Sequence, residues 1–119
     1  MDSSQRIALY KASLEKAIEK WEQVVIFEDP SSKKFVQFAV QAGEGLMWVD
    51  IPVQELSQEQ FNWLLPHMEK MHDSTGELLS LQKEVKTALA QYAAEYTEWV
   101  FTKIFKLPDT HSVTAEIFT

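Results

Sequence analysis

The sequence predicts one α+β domain over residues 1–119: an N-terminal helix, a three-stranded antiparallel meander, a short helix, a long C-terminal helix and a final edge strand. Three observations predict it. Apolar residues recur every three or four positions over 4–22, the period drops to two from Val24, and a helical period resumes after Ser57. A chain of 119 residues has room for one hydrophobic core.

In the first helix Ile7, Tyr10, Leu14, Ala17, Ile18 and Trp21 share a face, and Ser3 or Ser4 can cap its start. Lys11, Glu15, Lys16, Glu19 and Lys20 mix both signs of charge on the outer face. Val24–Glu28 is β-branched and aromatic, and Asp29-Pro30-Ser31-Ser32 supplies a turn. Phe35–Gln41 is the second strand, Ala42-Gly43-Glu44-Gly45 the next turn and Leu46–Val53 the third strand. Short links make an antiparallel meander the economical topology.

Alternation gives each strand two faces. In the second strand Phe35, Gln37, Ala39 and Gln41 oppose Val36, Phe38 and Val40, and the glutamines mark their side as partly wet. In the third, Met47, Val49, Ile51 and Val53 oppose Leu46, Trp48 and Asp50. Neither face is wholly polar, so one belongs to the core and the other suits a covering helix or a partner.

Ser57-Gln58-Glu59-Gln60 has the form of a capping box, with Leu56 and Phe61 placed as a hydrophobic staple. The helix it opens should run to about Leu65 and break at Pro66, with a kink or fresh turn through His72. Asp73-Ser74-Thr75-Gly76 reads as a break and a new N-cap region. From there Leu78, Leu81, Val85, Leu89, Tyr92, Tyr96, Trp99 and Lys103 step by three and four. This predicts a helix of roughly 40 Å, longer than one small domain covers. Leu107-Pro108-Asp109 stops it, and Val113–Phe118 alternates again, as a strand added to a sheet edge would.

Composition narrows function by exclusion. The hydrophobic fraction of 45% and the charged fraction of 24% suit a globular chain. No apolar run approaches the roughly 20 residues of a membrane span. There is no cysteine and no signal-peptide pattern, so the expected compartment is the cytoplasm, although a cysteine-free chain also suits the periplasm. The net charge is −7, with ten acids and six bases in residues 1–60 and eight and five in 61–119. No basic cluster exceeds Lys33-Lys34, which argues against nucleic-acid binding.

No catalytic, cofactor or metal residue is predicted, and the chain reads as a non-enzyme. His67 and His72 lie five apart, which is not the spacing of a helical metal pair, and His111 stands alone; all three read as surface or capping histidines. Gly43-Glu44-Gly45 lies between strands and is too short for a dinucleotide loop. Asp50 interrupts an apolar strand beside Trp48 and reads as lying on the wetter face.

Lys34-Phe35-Val36-Gln37-Phe38-Ala39, followed by a turn, a third strand and Leu56-Ser57-Gln58-Glu59-Gln60, resembles the TY-Chap group of bacterial proteins, themselves similar in fold to type III secretion chaperones. Trp99-Val100-Phe101-Thr102-Lys103-Ile104-Phe105-Lys106-Leu107-Pro108 matches that group's aromatic stretch before a proline. The resemblance implies a small dimeric protein that binds another protein, and it carries no catalytic residue.

The first expectation is therefore a chaperone-like, adaptor or immunity-type module acting as an acidic homodimer. Four Trp, seven Phe and three Tyr supply candidate anchors, of which Phe38, Trp48, Tyr96 and Trp99 are expected to meet the partner. A second reading is a small-molecule-binding or enzymatic domain, with Asp50, His67 and Glu95 converging in a pocket between the meander and the long helix. A third is an acidic inhibitor that mimics nucleic acid, which needs carboxylates on one face; their even spread along the chain argues against it.

Overall fold

In the computed structural model, which describes residues 1–119, Asp2 opens the first helix in place of Ser3 or Ser4. Its carboxylate accepts the Gln5 amide at 2.8 Å, and the Gln5 side chain accepts the Asp2 amide at 2.9 Å. A carboxylate there also suits the positive end of the helix. Helix α1, Ser3–Lys20, buries Tyr10, Leu14 and Ala17. It stops one residue before Trp21, which adopts a left-handed backbone (φ 57°) and is 67% exposed. Trp21 is thus not part of the helix's core face. Its ring lies over Gly43, where a methyl group would stand 2.9 Å from it.

Strands β1 (Val24–Glu28), β2 (Phe35–Gln41) and β3 (Leu46–Pro52) form the expected antiparallel run. The sheet around them is larger, with six strands in the order β4-β5-β3-β2-β1-β6, every neighbouring pair antiparallel. Helix α2, Gln58–Leu64, begins with the Ser57–Gln60 capping box, both of its bonds formed. Leu56 and Phe61 pack against the core.

The region after Pro66 departs most from expectation. Glu69–His72 is strand β4 and Leu78–Lys86 is strand β5, where the spacing suggested a kink and the first turns of a long helix. Leu81 and Val85 are four apart, which is one helical turn but also two strand periods, and both lie on the buried face. Tertiary pairing decides between the two readings. β5 pairs with β3 from Pro52 to Leu46, and without it the largely apolar β3 would be an open edge. The 73–76 segment is the hairpin loop between β4 and β5. The Asp73 carboxylate accepts from the Thr75 hydroxyl and from the amides of Thr75 and Glu77, and Gly76 takes φ 88°. These bonds, the Thr75 hydroxyl first, hold the Asp73 carboxyl below the usual aspartate range.

Helix α3, Ala90–Trp99, is much shorter than the sequence suggests, and it continues into one π-turn at Val100–Ile104. Val100, Phe101, Ile104 and Phe105 are all buried. The turn closes with the Phe105 amide donating to the Val100 carbonyl at 2.9 Å. Strand β6, Thr114–Phe118, then pairs with β1 as the expected edge strand.

Both long helices lie on one side of the sheet. Tyr10 of α1 meets Phe27 of β1 edge-on at 4.8 Å and stacks with Phe101 at 6.1 Å, while Phe27 meets Phe38 at 6.0 Å. The molecule is 22 Å thick along its shortest axis, enough for one helix layer on one sheet and not for a second helix layer. No helix is long and apolar enough to cross a membrane.

Candidate functional site

The sheet face turned away from the helices is left without a covering element. Its side chains follow from strand parity and register. Phe118, Val24, Ala39, Trp48 and Glu84 form one row across five strands. Glu116, Ile26, Gln37, Asp50, Gln82 and Glu69 form the next. Thr114, Glu28 and Phe35 lie beyond that, and Gln41, Leu46 and Lys86 lie on the opposite flank. All of these are partly or fully exposed.

This face sorts charge that the linear sequence spreads evenly. It carries Glu28, Asp50, Glu69, Glu84 and Glu116 against Lys86 alone. The strand lysines Lys70 and Lys83 point to the helix side, opposite Leu81 and Val49. The Asp50 carboxylate is committed: it accepts from Gln37 Nε2 at 2.9 Å, Ser80 Oγ at 3.0 Å and Gln82 Nε2 at 2.5 Å. Three neutral donors around one anion stiffen the centre of the face. At one corner Trp21, Val24, Ala39, Gln41 and Gly43 bound an open hollow of about 500 Å³.

The four expected anchors fall in three places. Trp48 stands on the open face, directly opposite Ala39. Phe38 does not: it is 0% exposed, between Val25 and Val49 on the covered side. Its parity is that of Val36 and Val40, so the helix layer encloses it. Tyr96 and Trp99 are half-buried on α3, in a ladder with Tyr92 and His67; Tyr96 and Trp99 lie 5.4 Å apart, and His67 meets Trp99 at 5.2 Å. Lys83 Nζ lies 5.7 Å from the Tyr96 ring centre. The Tyr96 hydroxyl is buried without a partner, and burial raises its pKa well above the ordinary phenol value.

Asp50, His67 and Glu95 do not converge. Asp50 is on the open face, His67 packs on Trp99 on the helix side, and Glu95 is exposed, accepting from Gln91. No group of three His, Asp or Glu side chains is placed to hold a metal ion.

A buried polar cluster escaped the sequence reading. Arg6 is 1% exposed and meets Glu98 through Nη2 at 2.7 Å and Nε at 2.9 Å. Its Nη1 donates to the carbonyls of Met1, Asp109 and His111 at 2.6, 2.8 and 3.0 Å. The guanidinium thereby ties α1 to α3 and to the loop before β6. The hydrogen bond to Glu98 raises the Arg6 pKa. Burial raises the Glu98 pKa, but the bond and charge of Arg6 outweigh it and hold the carboxyl below the ordinary glutamate value. Burial first, then the Glu98 charge, raises the Tyr10 hydroxyl far above the normal phenol range. His111, expected at the surface, is 8% exposed and packs on Phe101, with Nδ1 2.7 Å from the Pro108 carbonyl. The missed signal was Arg6 itself, a charge in line with Tyr10 and Leu14 on the apolar stripe of α1.

Compared with protein-family models, with curated proteins and with solved structures, the chain matches none.

Proposed function

We propose that this chain is a non-enzymatic protein-binding module of the chaperone or adaptor kind, working in the cytoplasm as a small acidic dimer. The observation that carries this reading is the uncovered sheet face, with Trp48, Val24, Ile26, Phe35 and Phe118 on a surface the fold leaves bare. A contiguous apolar patch rimmed by polar groups is characteristic of an interaction site. Its apolar content distinguishes it from a nucleic-acid mimic, which needs carboxylates alone. The resemblance to TY-Chap proteins points the same way.

For the second copy we place the contact at β6, since the C-terminal helix, Ala90–Trp99 with its π-turn, is shorter than the length that first suggested a dimer. β6 has one unpaired edge. Beside it Leu9, Ala12, Val113, Ala115 and Ile117 form an apolar groove between α1 and the strand. Pairing of two β6 edges would extend the sheet and bury both grooves.

Two measurements test the reading. Sedimentation equilibrium should show a dimer that Ala12→Lys converts to monomer; a monomeric wild-type protein removes the dimer. Panning a random 16-residue peptide library should enrich sequences that Trp48→Ser no longer binds and Tyr96→Ser still does. Enrichment indifferent to Trp48 sinks the open face as the binding surface.

A further inference from the structure

The open face also specifies the chemistry of what lies on it. We propose that its occupant is a cationic amphipathic helix contributed by another protein, an inference that rests on the reading of this face as a docking surface. Three features of the face support this occupant.

The first is charge. Five carboxylates face outward against one ammonium, and the hollow at the Trp21 corner adds Glu44 to its rim. Partners that meet such a surface need complementary sign, because like charges brought together cost several kcal/mol. The same repulsion disfavours a second copy docking face to face, and it disfavours nucleic acid and anionic lipid.

The second is the arrangement of acids around grease. The apolar row Phe118–Val24–Ala39–Trp48 ends in Glu84, Glu116 flanks it at the β6 end, and Glu28 lies beyond Ile26 on the same side. An apolar stripe bordered by lysine or arginine matches that layout; a uniformly basic segment would leave the tryptophan row uncovered.

The third is shape. Helices are the usual cover for an apolar sheet face, as α1 and α3 already show on the other side. Strands β6 to β5 span about 19 Å at roughly 4.8 Å per strand. A helix of about 13 residues has that length. Ala39, small between Val24 and Trp48, leaves a notch in the row for one large side chain of the incoming helix.

The peptide library of the preceding section tests this through the charge of what it enriches, together with a synthetic 14-residue leucine–lysine helix and its leucine–glutamate counterpart. The expected result is Trp48-dependent peptides of net positive charge. The leucine–lysine helix should bind with an affinity that falls at least tenfold when salt is raised from low to high concentration, and at least tenfold in the Glu28→Gln/Glu84→Gln/Glu116→Gln variant. The leucine–glutamate helix should not bind. Amide spectra of each variant verify the fold, and Phe118→Ser, at the far end of the row, is the second probe should Trp48→Ser fail to fold. Trp48-dependent peptides that are neutral or acidic overturn the cationic partner and leave the docking surface intact. Peptides indifferent to both Trp48 and Phe118 overturn the docking surface and the partner with it. A wild-type dimer that Trp48→Ser dissociates shows a second copy on this face and overturns the proposal.

Discussion

The two faces of the sheet are built from alternate residues of the same strands, yet they have opposite characters. On the covered face Phe27, Phe38, Val49 and Ile51 are fully enclosed beneath Tyr10 and Phe101. On the open face Val24, Ile26, Phe35 and Trp48 remain part-exposed among carboxylates. Propensity does not distinguish them, since both use β-branched and aromatic residues. The helix layer does. A side chain there contributes to stability through close packing, whereas its neighbour one position along is free to serve an interface. Substitutions on the two faces should therefore separate stability from binding.

The largest effect is expected at Phe38. Phe38→Ala removes a fully buried ring that packs on Phe27 and should cost about 3–5 kcal/mol. Chemical denaturation measures it as a lower midpoint at unchanged slope. A loss below about 1 kcal/mol would mean that the ring is not enclosed as described.

Next comes the ion pair that joins the helix layer to itself. Glu98→Gln leaves the Arg6 guanidinium buried without its anion and should cost about 3 kcal/mol, whereas Arg6→Met/Glu98→Leu should recover most of that loss. The sign of the pH dependence follows from the lowered Glu98 pKa. Its stabilisation is fully present above the ordinary glutamate value, about 4.5, and is lost as pH falls through the lower folded-state value. Acid unfolding of the double variant should accordingly be shallower between the two values than in the wild type. Equal slopes would remove Glu98 as a source of acid sensitivity.

That pair also shows where sequence reasoning stops. β1, β2 and the Ser57 capping box are legible because their signals are local: period-two alternation, turn residues and a four-residue hydrogen-bonding pattern. β4 carries no such signal, since Glu69, Lys70, Met71 and His72 are all exposed. β5 was misread because Leu81 and Val85 satisfy both periods, and its pairing with β3 connects residues from 28 (Pro52 to Ser80) to 40 (Leu46 to Lys86) positions apart. Arg6 meets Glu98 across 92 residues, and nothing in either neighbourhood names the other. For the candidate site, parity correctly grouped Trp48 apart from Met47 and Val49. Phe38 shares the parity of Val36 and Val40, opposite the partly wet glutamine side of its strand, and that is the parity the helices cover.

A smaller effect should follow from Asp50→Ala, at the centre of the open face. The substitution strands the donors of Gln37, Ser80 and Gln82, of which Ser80 is the buried one, so the loss should be about 1–2 kcal/mol. Asp50→Asn keeps an acceptor and should cost less. If the two variants are equally destabilised, charge rather than hydrogen bonding holds the centre together.

The smallest stability effect belongs to the residue expected to matter most for binding. Trp48→Ser removes a side chain that is part-buried on the open face rather than enclosed, so the unfolding free energy should fall by about 1 kcal/mol, well short of the loss at Phe38. The contrast with Phe38 is the test, because the two residues occupy adjacent strands at neighbouring register positions, Phe38 opposite Val49 and Trp48 opposite Ala39. A hydrophobic side chain kept at a part-exposed position contributes less to its own fold than an enclosed one and still exposes apolar area to water, a cost that a covering partner would relieve. If Trp48→Ser instead destabilises the protein as much as Phe38→Ala, the open face is a second core surface in disguise. The distinction between the two faces, and with it the case for docking, would then be lost.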